Sequence, residues 1–282
     1  MNSATDQPDR WTRIAAASPQ NVNLAEGALL IAAEEYEDLD VDGYLRRIDE
    51  MGATLHRRLR SDISATEALL ALNRYVFEEL GFSGNPDDYY DPRNSYLNDV
   101  VDRRLGIPIT LAILYIEIGR RIGLQLHGVS FPSHFLVKCT VRDGTIILDP
   151  YAQGASLGMG ELRQRLHMLA KDLRVDDKLM KAMLAAAAPN DVFARILRNL
   201  RAIYLSKSDR LRALGASNRI LTLLPHAAEE YRERGQLYLE LECFRAALTD
   251  FRSYLRMKPE ATDSGTVTRQ IAELEPVAAR LN

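Results

Sequence analysis

The segment that most constrains the fold is residues 108–122, which reads PITLAILYIEIGRRI. Its first eleven positions are apolar except Thr110 and Glu117. Because a helix that is apolar on nearly every side has to be buried, this segment predicts a central core helix. Pro108 suits the first helical position, and Gly123 suits the position that follows the last turn. Fifteen residues are too few to span a bilayer.

The chain after this helix changes to the pattern of strands. Runs rich in Val, Ile, Leu and Phe occupy residues 125–131, 134–141 and 145–148. Arg142-Asp143-Gly144 joins the last two runs and is typical of a hairpin turn. His134 begins one strand of this hairpin and Asp149 ends the other, so their side chains can meet if the strands pair. A carboxylate on a ring nitrogen is how a catalytic histidine is oriented.

The first eighty residues predict mostly helices. We expect residues 1–18 to be a flexible tail that Trp11 holds against the body. Apolar residues at helical spacing predict two helices, over residues 24–36 and 44–59. Ser64-Ala65-Thr66-Glu67 is a capping box that begins a third helix, and Gly81 is its C-terminal stop.

Turn-forming residues mark the stretches between the remaining elements. Residues 82–93 predict a loop, after which Ser95 caps a helix that runs through residue 105. Asp191, just after Pro189, is the predicted N-cap of the first helix of a second domain. Two helices are predicted between the hairpin and this boundary, over residues 158–173 and 176–188.

The last ninety residues repeat at an offset of 34 positions. The matched pairs are Tyr204/Tyr238, Ala213/Ala247 and Pro225/Pro259. This period, with a small residue where two helices cross and a closing proline, is the tetratricopeptide signature. The first repeat departs from the signature, because Arg201 stands in place of Gly235 and Ser217 in place of Phe251. Residues 266–281 predict a terminal capping helix.

Four separate motifs carry a resemblance to a known family. They lie at residues 90–98 (YDPRNSYLN), 103–111 (RRLGIPITL), 128–137 (GVSFPSHFLV) and 148–151 (LDPY). With them the chain resembles the bacterial transglutaminase-like proteins of the SirB invasion-regulator type, over roughly residues 24–259. These proteins join a transglutaminase-like core to C-terminal tetratricopeptide repeats.

The resemblance implies an α+β fold with a transglutaminase-like (papain-like) core and N-terminal helices, followed by an all-α tetratricopeptide-repeat region. We expect the core domain over residues 19–189. The repeat domain, with two repeats and a capping helix, is expected over residues 190–282.

Active relatives have a Cys at the start of the central helix, a His at the start of a strand and an Asp at the end of the next strand. In this chain His134 and Asp149 take the last two places, whereas the Cys place falls on or beside Pro108. Cys139 is a poor substitute, because an odd offset of five residues along a strand sends it to the face opposite His134. We interpret Cys139 and Cys243 as packing residues.

Thr110 is the remaining candidate nucleophile near the predicted His–Asp pair. It is either a hydroxyl nucleophile with His134 as its base or a first-turn residue whose hydroxyl bonds the backbone. The pair itself is either catalytic or a buried hydrogen bond that ties the hairpin to the helix. Ser133 and Ser95 are weaker nucleophile candidates and read as a turn residue and a helix cap.

Composition excludes several classes of function. The net charge of −3 does not indicate a protein that binds nucleic acid. No apolar segment is long enough to span a membrane. The two cysteines form no disulfide framework, which predicts a reducing, cytoplasmic location. No phosphate-binding glycine loop or metal-ligand spacing is present, so we expect no cofactor and no metal site.

The interpretation that we favour is a non-catalytic transglutaminase-like scaffold with a protein-binding repeat array, in a regulatory or adaptor role. The alternative is an acyl-transfer or amide-hydrolysing enzyme that uses Thr110, His134 and Asp149. A third reading is a regulator whose cleft binds a ligand without turnover. Arg198 and Arg232 are 34 residues apart and are either a clamp for a carboxylate of a partner peptide or solvated surface charges.

Overall fold

The computed structural model describes residues 7–17, 22–142, 144–169 and 175–280. It divides into two compact units, Met1–Val192 and Phe193–Asn282. The first unit contains the sheet, and the second consists of helices and their connections wherever the structure describes it.

The first unit begins with a group of N-terminal helices. The prediction of the capping box at Ser64 is confirmed, and Gly81 has the positive φ of a helix stop (73°). A short π-helical turn, Arg74–Glu79, continues the last helix of the group. The helices are α1 (Gln7–Ala16), α2 (Leu24–Ala33), α3 (Val41–Arg58) and α4 (Ala65–Asn73).

The described part of the predicted flexible tail is helical. Trp11 and Ile14, three residues apart, are buried and give α1 an apolar face. Arg10 forms ion pairs with Glu26 and Asp42 at 2.8 and 3.0 Å. Residues 1–6 and 18 of the expected tail lie outside the described residues.

The prediction of a buried central helix is confirmed by α6 (Pro108–Arg121), in which Pro108–Gly119 are all buried. Glu117 lies within this buried stretch and has partners for both of its carboxylate oxygens. It accepts a hydrogen bond from the Leu24 backbone N–H at 3.0 Å and pairs with Arg120 and Arg121 at 3.2 and 3.0 Å. Buried carboxylates persist where such partners compensate for lost hydration.

The helix before α6 begins later than predicted. It is α5 (Leu97–Arg103), and its N-cap is Tyr96 rather than Ser95. The reason is a 3-10 turn, Pro92–Asn94, which Asp91 caps and which ends at Ser95. The buried Ser95 hydroxyl has no hydrogen-bond partner among the described residues. A two-residue parallel bridge flanks α5 and joins β1 (Ser83–Gly84) to β2 (Leu105–Gly106).

The predicted hairpin is present within a four-stranded antiparallel sheet. Its strands, in spatial order, are β3 (Leu126–Val129), β4 (Leu136–Val141), β5 (Gly144–Asp149) and β6 (Ala155–Ser156). Val137 pairs with Leu148, which fixes the register of the hairpin. Asp143, at the tip of the predicted turn, lies outside the described residues.

Helices cover both faces of this sheet. Gly119 permits α6 to lie close to β3, because an added Cβ atom there would meet Leu126 at 2.3 Å. On the other face Leu136 and Ile147 belong to an apolar cluster with Leu162, Leu166 and Met180. The last three residues come from α7 (Met159–Leu169) and α8 (Asp177–Met183). Residues 170–173 of the predicted helix lie outside the described residues.

The chain after α8 covers the outer edge of β3. The Ala187 N–H donates a hydrogen bond to the Gly128 carbonyl at 2.9 Å. The helix predicted over residues 176–188 stops at Met183, and residues 184–188, called the strap below, contact the sheet edge through this bond.

The second unit is a helical repeat array. Its helices are α9 (Pro189–Ser206) from Phe193 onward, α10 (Arg210–Leu223), α11 (Ala228–Glu240), α12 (Phe244–Met257) and α13 (Ser264–Arg280). The helix α9 begins at Pro189 itself, so Asp191 lies in its first turn and is not the N-cap. Val267 and Leu274 of α13 join the apolar cluster of α12. Leu281 of the predicted capping helix is outside the described residues.

The two departures from the repeat signature compensate for each other. In the second repeat an added Cβ at Gly235 would lie 2.8 Å from the Phe251 ring, so the glycine makes room for the aromatic side chain. In the first repeat the large residue is Arg201 and the small one is Ser217, whose hydroxyl accepts a hydrogen bond from Arg201 at 3.3 Å. Cys243 in the second repeat is exposed, so its interpretation as a packing residue was wrong.

Candidate functional site

His134 and Asp149 meet at one end of the hairpin. The His134 Nε2 lies 2.8 Å from the Asp149 Oδ1. The contact follows from the hairpin register, because His134 precedes β4 and Asp149 ends the adjacent β5. The His134 side chain is 20% exposed, whereas Asp149 is buried. Asp149 is the only hydrogen-bond partner of the imidazole among the described residues.

Three further groups donate hydrogen bonds to the Asp149 carboxylate. Its Oδ1 accepts hydrogen bonds from the backbone N–H groups of Tyr151 and Ala152, and its Oδ2 accepts one from Arg165 of α7 at 3.0 Å. Burial acts to raise the pKa of Asp149, but hydrogen bonds and charges from His134 and Arg165 outweigh it, and the net pKa lies below its usual value. The carboxylate is therefore ionised at neutral pH.

Thr110 lies in the first turn of α6. Its side chain is fully buried, and its hydroxyl lies 2.8 Å from the Asn94 carbonyl and 3.1 Å from the Ile107 carbonyl. The same oxygen accepts a hydrogen bond from the Ile107 N–H at 3.1 Å. Backbone groups thus engage the hydroxyl fully and solvent does not reach it, so this geometry does not support Thr110 as a nucleophile.

Neither cysteine lies at the start of α6. Pro108 is the first residue of that helix. Cys139 is buried on β4, where burial raises its pKa and keeps the thiol protonated. Cys243 lies in the second unit, at the N-terminus of α12.

The architecture agrees with comparisons to known proteins. The family model of the transglutaminase-like superfamily matches residues 42–198, and that of the tetratricopeptide repeat matches residues 200–272. The chain is 40% identical over 268 residues to a UPF0162 protein of Xylella fastidiosa, covering 94% of each chain. It is 32% identical to a UPF0162 protein of Pseudomonas aeruginosa, covering 91% of this chain and 93% of that one.

This chain belongs to the UPF0162 family. The resemblance to SirB-type transglutaminase-like repeat proteins is thereby confirmed. A shorter similarity links it to human F-box only protein 21, at 38% identity over 104 residues, which cover 34% of this chain and 17% of that protein. No solved structure matches.

Aromatic rings extend outward from the His134 imidazole of this UPF0162 protein. The ring centroids of His134 and Tyr151 are 6.1 Å apart, those of Tyr151 and Tyr89 are 6.4 Å apart, and those of Tyr89 and Tyr90 are 5.4 Å apart. Each contact is edge-to-face, and Tyr90 is 69% exposed. Gly84 makes room for this arrangement, because a Cβ there would lie 2.4 Å from the Tyr151 ring. The sequence contained one signal for it, two adjacent tyrosines in a loop.

Arg198 and Arg232 both pair with carboxylates of their own unit. Arg198 of α9 lies 2.6 Å from Glu230, and Arg232 of α11 lies 2.5 Å from Asp263. The two arginine side chains are 38% and 40% exposed. Glu230 is buried and also pairs with Arg201 at 2.6 Å. The arginines therefore occupy equivalent places in the two repeats, and each contacts a carboxylate about one repeat farther along the chain.

The described residues contain neither a cluster of metal ligands nor a membrane-spanning helix. No group of three or more His, Cys, Asp and Glu side chains there has an arrangement that would hold a metal ion. No helix in that part of the chain combines the length and apolar character needed to cross a membrane.

Proposed function

We propose that this protein is a non-catalytic transglutaminase-like scaffold whose repeats bind a protein partner, in a regulatory or adaptor role. The observation that carries the proposal is the start of α6, where Pro108 stands on or beside the place that the family resemblance gives to the nucleophile. A proline side chain has neither a thiol nor a hydroxyl. The candidate hydroxyl in the first turn of the same helix, that of Thr110, is buried and bonded to the backbone.

The His134–Asp149 pair then serves as a tie between secondary-structure elements. Asp149 at the end of β5 holds His134 from the start of β4 and Arg165 from α7. This arrangement needs an ionised carboxylate but no reaction. The partly exposed ring of His134 and its aromatic neighbours leave this end of the hairpin able to contact a ligand without turnover.

The repeat unit supports the binding part of the proposal, because tetratricopeptide arrays present helical surfaces to other proteins. We place this activity in the cytoplasm, since two free cysteines suit a reducing compartment. The partner is a protein or peptide rather than nucleic acid.

An activity assay tests the absence of catalysis. The full chain is incubated with a glutamine-rich protein and a fluorescent primary amine, and both amine incorporation and ammonia release are measured. We expect both signals to equal those of His134→Ala and of buffer, with circular dichroism showing that both proteins are folded. Turnover that disappears in His134→Ala would overturn the proposal.

A labelling experiment separates the scaffold from the hydroxyl enzyme. A fluorophosphonate probe reacts with activated hydroxyl nucleophiles, so it reports directly on Thr110. We expect no covalent adduct by intact mass. An adduct that maps to Thr110 and is lost in Thr110→Ala would establish the enzyme in place of the scaffold.

The proposed peptide contact through Arg198 and Arg232 requires exchange of partners. A peptide carboxylate would have to replace Glu230 on Arg198 or Asp263 on Arg232, which is feasible because both arginines are partly exposed. We expect an acidic peptide selected from a library to bind at least tenfold more weakly to the double variant Arg198→Gln, Arg232→Gln.

The matched control for this contact is Arg252→Gln. Arg252 is also exposed and also ion-paired, with Glu275 at 2.7 Å, but it lies on α12. It should leave the peptide affinity unchanged. Equal peptide affinities of the wild type and the double variant would show that the two arginines are not part of the binding surface. That result would not alter the outcome of the activity and labelling assays.

A further inference from the structure

A cavity of about 600 Å³ lies in the first unit, apart from the His134–Asp149 pair. Its walls come from β4, β5, the start of α7, α8 and the strap that follows α8. This volume is in the range of pockets that hold small organic molecules. None of the residues that line the cavity takes part in the hydrogen bonds of the His–Asp–Arg group.

One part of the wall is apolar. Ile147 is buried within the cluster beneath the sheet, and Leu184 packs against the same cluster. Met159 is 44% exposed although it is a large apolar side chain. Two small residues of the strap, Ala185 and Ala186, complete this side. An exposed methionine beside alanines offers an adaptable apolar surface for a ligand.

The other part of the wall is positively charged. Lys138 of β4 and Lys181 of α8 both line the cavity, and neither has an ion-pair partner among the described residues. The Lys138 ammonium donates one hydrogen bond, to the Leu184 carbonyl at 3.3 Å. Asp177 is the acidic residue of the lining, and its carboxylate is already paired with Arg163 at 2.5 Å.

A neighbouring side chain responds to this positive charge. His127 stands opposite Lys138 in the β3–β4 register. Its pKa lies below its usual value because of burial first and then the charges of Lys138 and Arg120. No acidic group contributes to this shift. The charge of Lys138 thus acts on the neighbouring strand as well as on the cavity.

We propose that this cavity binds a small amphipathic monoanion, a short apolar chain or ring that bears one carboxylate. The apolar part lies against Ile147, Met159 and Leu184. The carboxylate lies on the side of Lys138 and Lys181, where it supplies the negative charge that these two ammonium groups lack.

Calorimetric titration of the full chain with octanoate tests this assignment. Octanoate should bind at least tenfold more tightly than octanamide, which has the same chain without the charge. The double variant Lys138→Met, Lys181→Met keeps side-chain length and apolar contact, and it should bind octanoate at least tenfold more weakly. Both lysines are at least partly exposed, so we expect this variant to fold.

Two controls locate the effect. Lys178→Met removes an exposed lysine from α8 that is not part of the cavity, and it should leave the affinity for octanoate unchanged. His134→Ala should also leave it unchanged, because the inference is independent of the proposed scaffold function. A tenfold loss in Lys178→Met as well would indicate a diffuse charge effect and would overturn the site.

Two other results would also overturn it. One is the absence of octanoate binding at millimolar concentration. The other is equal binding of octanoate and octanamide. Sedimentation with phosphatidylglycerol vesicles tests whether the anion is instead a lipid headgroup on a membrane surface. Binding to the vesicles that depends on Lys138 and Lys181, without octanoate binding, would assign the site to a lipid headgroup and not to a small ligand.

Discussion

The substitution Asp149→Asn tests whether the His134–Asp149 contact is a structural tie. It keeps the size of the side chain but removes the charge that two hydrogen bonds use, those from His134 at 2.8 Å and Arg165 at 3.0 Å. It also turns an amide N–H group toward donors that need an acceptor. Both partners are less than one-third exposed, so solvent screens the loss only partly.

The expected cost follows from the strength of the two bonds. Hydrogen bonds to charged groups contribute about 1.5–3 kcal/mol each, against about 1 kcal/mol for neutral ones. Losing the charge at both contacts should therefore lower the free energy of unfolding by about 1–4 kcal/mol. Urea unfolding followed by the fluorescence of Trp11, the single tryptophan, measures this change, and hydrogen exchange of the β4 and β5 amides checks that the sheet itself is affected.

The matched control is Asp177→Asn. Asp177 also pairs with an arginine of α7, at 2.5 Å, but its side chain is 93% exposed. Its loss should cost less than about 0.5 kcal/mol. If Asp149→Asn costs no more than this control, the carboxylate does not tie the hairpin to α7, and the reasoning behind the scaffold is refuted at its central contact.

The pH dependence of the same comparison gives a second check. The pKa of Asp149 is lowered in the folded protein, so its contribution is fully present above the pKa of an unfolded aspartate, near 4, and is lost as the pH falls through the folded pKa. The difference in unfolding free energy between wild type and Asp149→Asn should shrink as the pH falls below about 4. A difference that grows below about pH 4 would contradict the direction of the shift.

Two further outcomes are expected. Gly84→Ala should destabilise the first unit by about 1–3 kcal/mol in urea unfolding, because the new Cβ would meet the Tyr151 ring at 2.4 Å. An unchanged unfolding midpoint would mean that the ring moves away freely. In the native protein a thiol reagent such as dithionitrobenzoate should modify the exposed Cys243 within minutes. It should modify Cys139 only after denaturation, because Cys139 is buried and its pKa is raised. Equal rates of modification would contradict the packing of β4.

The central helix and the hairpin could be predicted because both have strong local patterns. Apolar residues on nearly every side of residues 108–122 have no stable place except a core. A turn sequence between two apolar runs fixed the pairing, and the pairing in turn brought His134 to Asp149. This part of the site thus depends only on contacts between neighbours in the chain.

The third member of the group, Arg165, could not be predicted in this way. It reaches Asp149 from α7, and a contact between a helix and a strand end depends on tertiary packing that has no fixed spacing in the sequence. The start of α5 was mispredicted for a related reason. Asp91 caps the 3-10 turn that precedes it, and this turn occupies the position where Ser95 would otherwise begin a helix.

The first repeat shows how a departure from a signature can preserve packing. Arg201 and Ser217 exchange the large and small places that Gly235 and Phe251 hold in the second repeat, so the volume between the two helices is shared differently. Taken separately, Arg201 and Ser217 each depart from the tetratricopeptide signature. Taken as a pair, they keep one large and one small residue between the two helices, as the signature requires.

The strap after α8 determines where this chain can be shortened. The Ala187 N–H donates a hydrogen bond to the Gly128 carbonyl and thereby pairs one acceptor on the open edge of β3. A fragment that stops at Met183, the last residue of α8, would present a bare strand edge to its neighbours in solution and would be prone to aggregate. Expression of the first unit alone should therefore keep the chain at least through Val192.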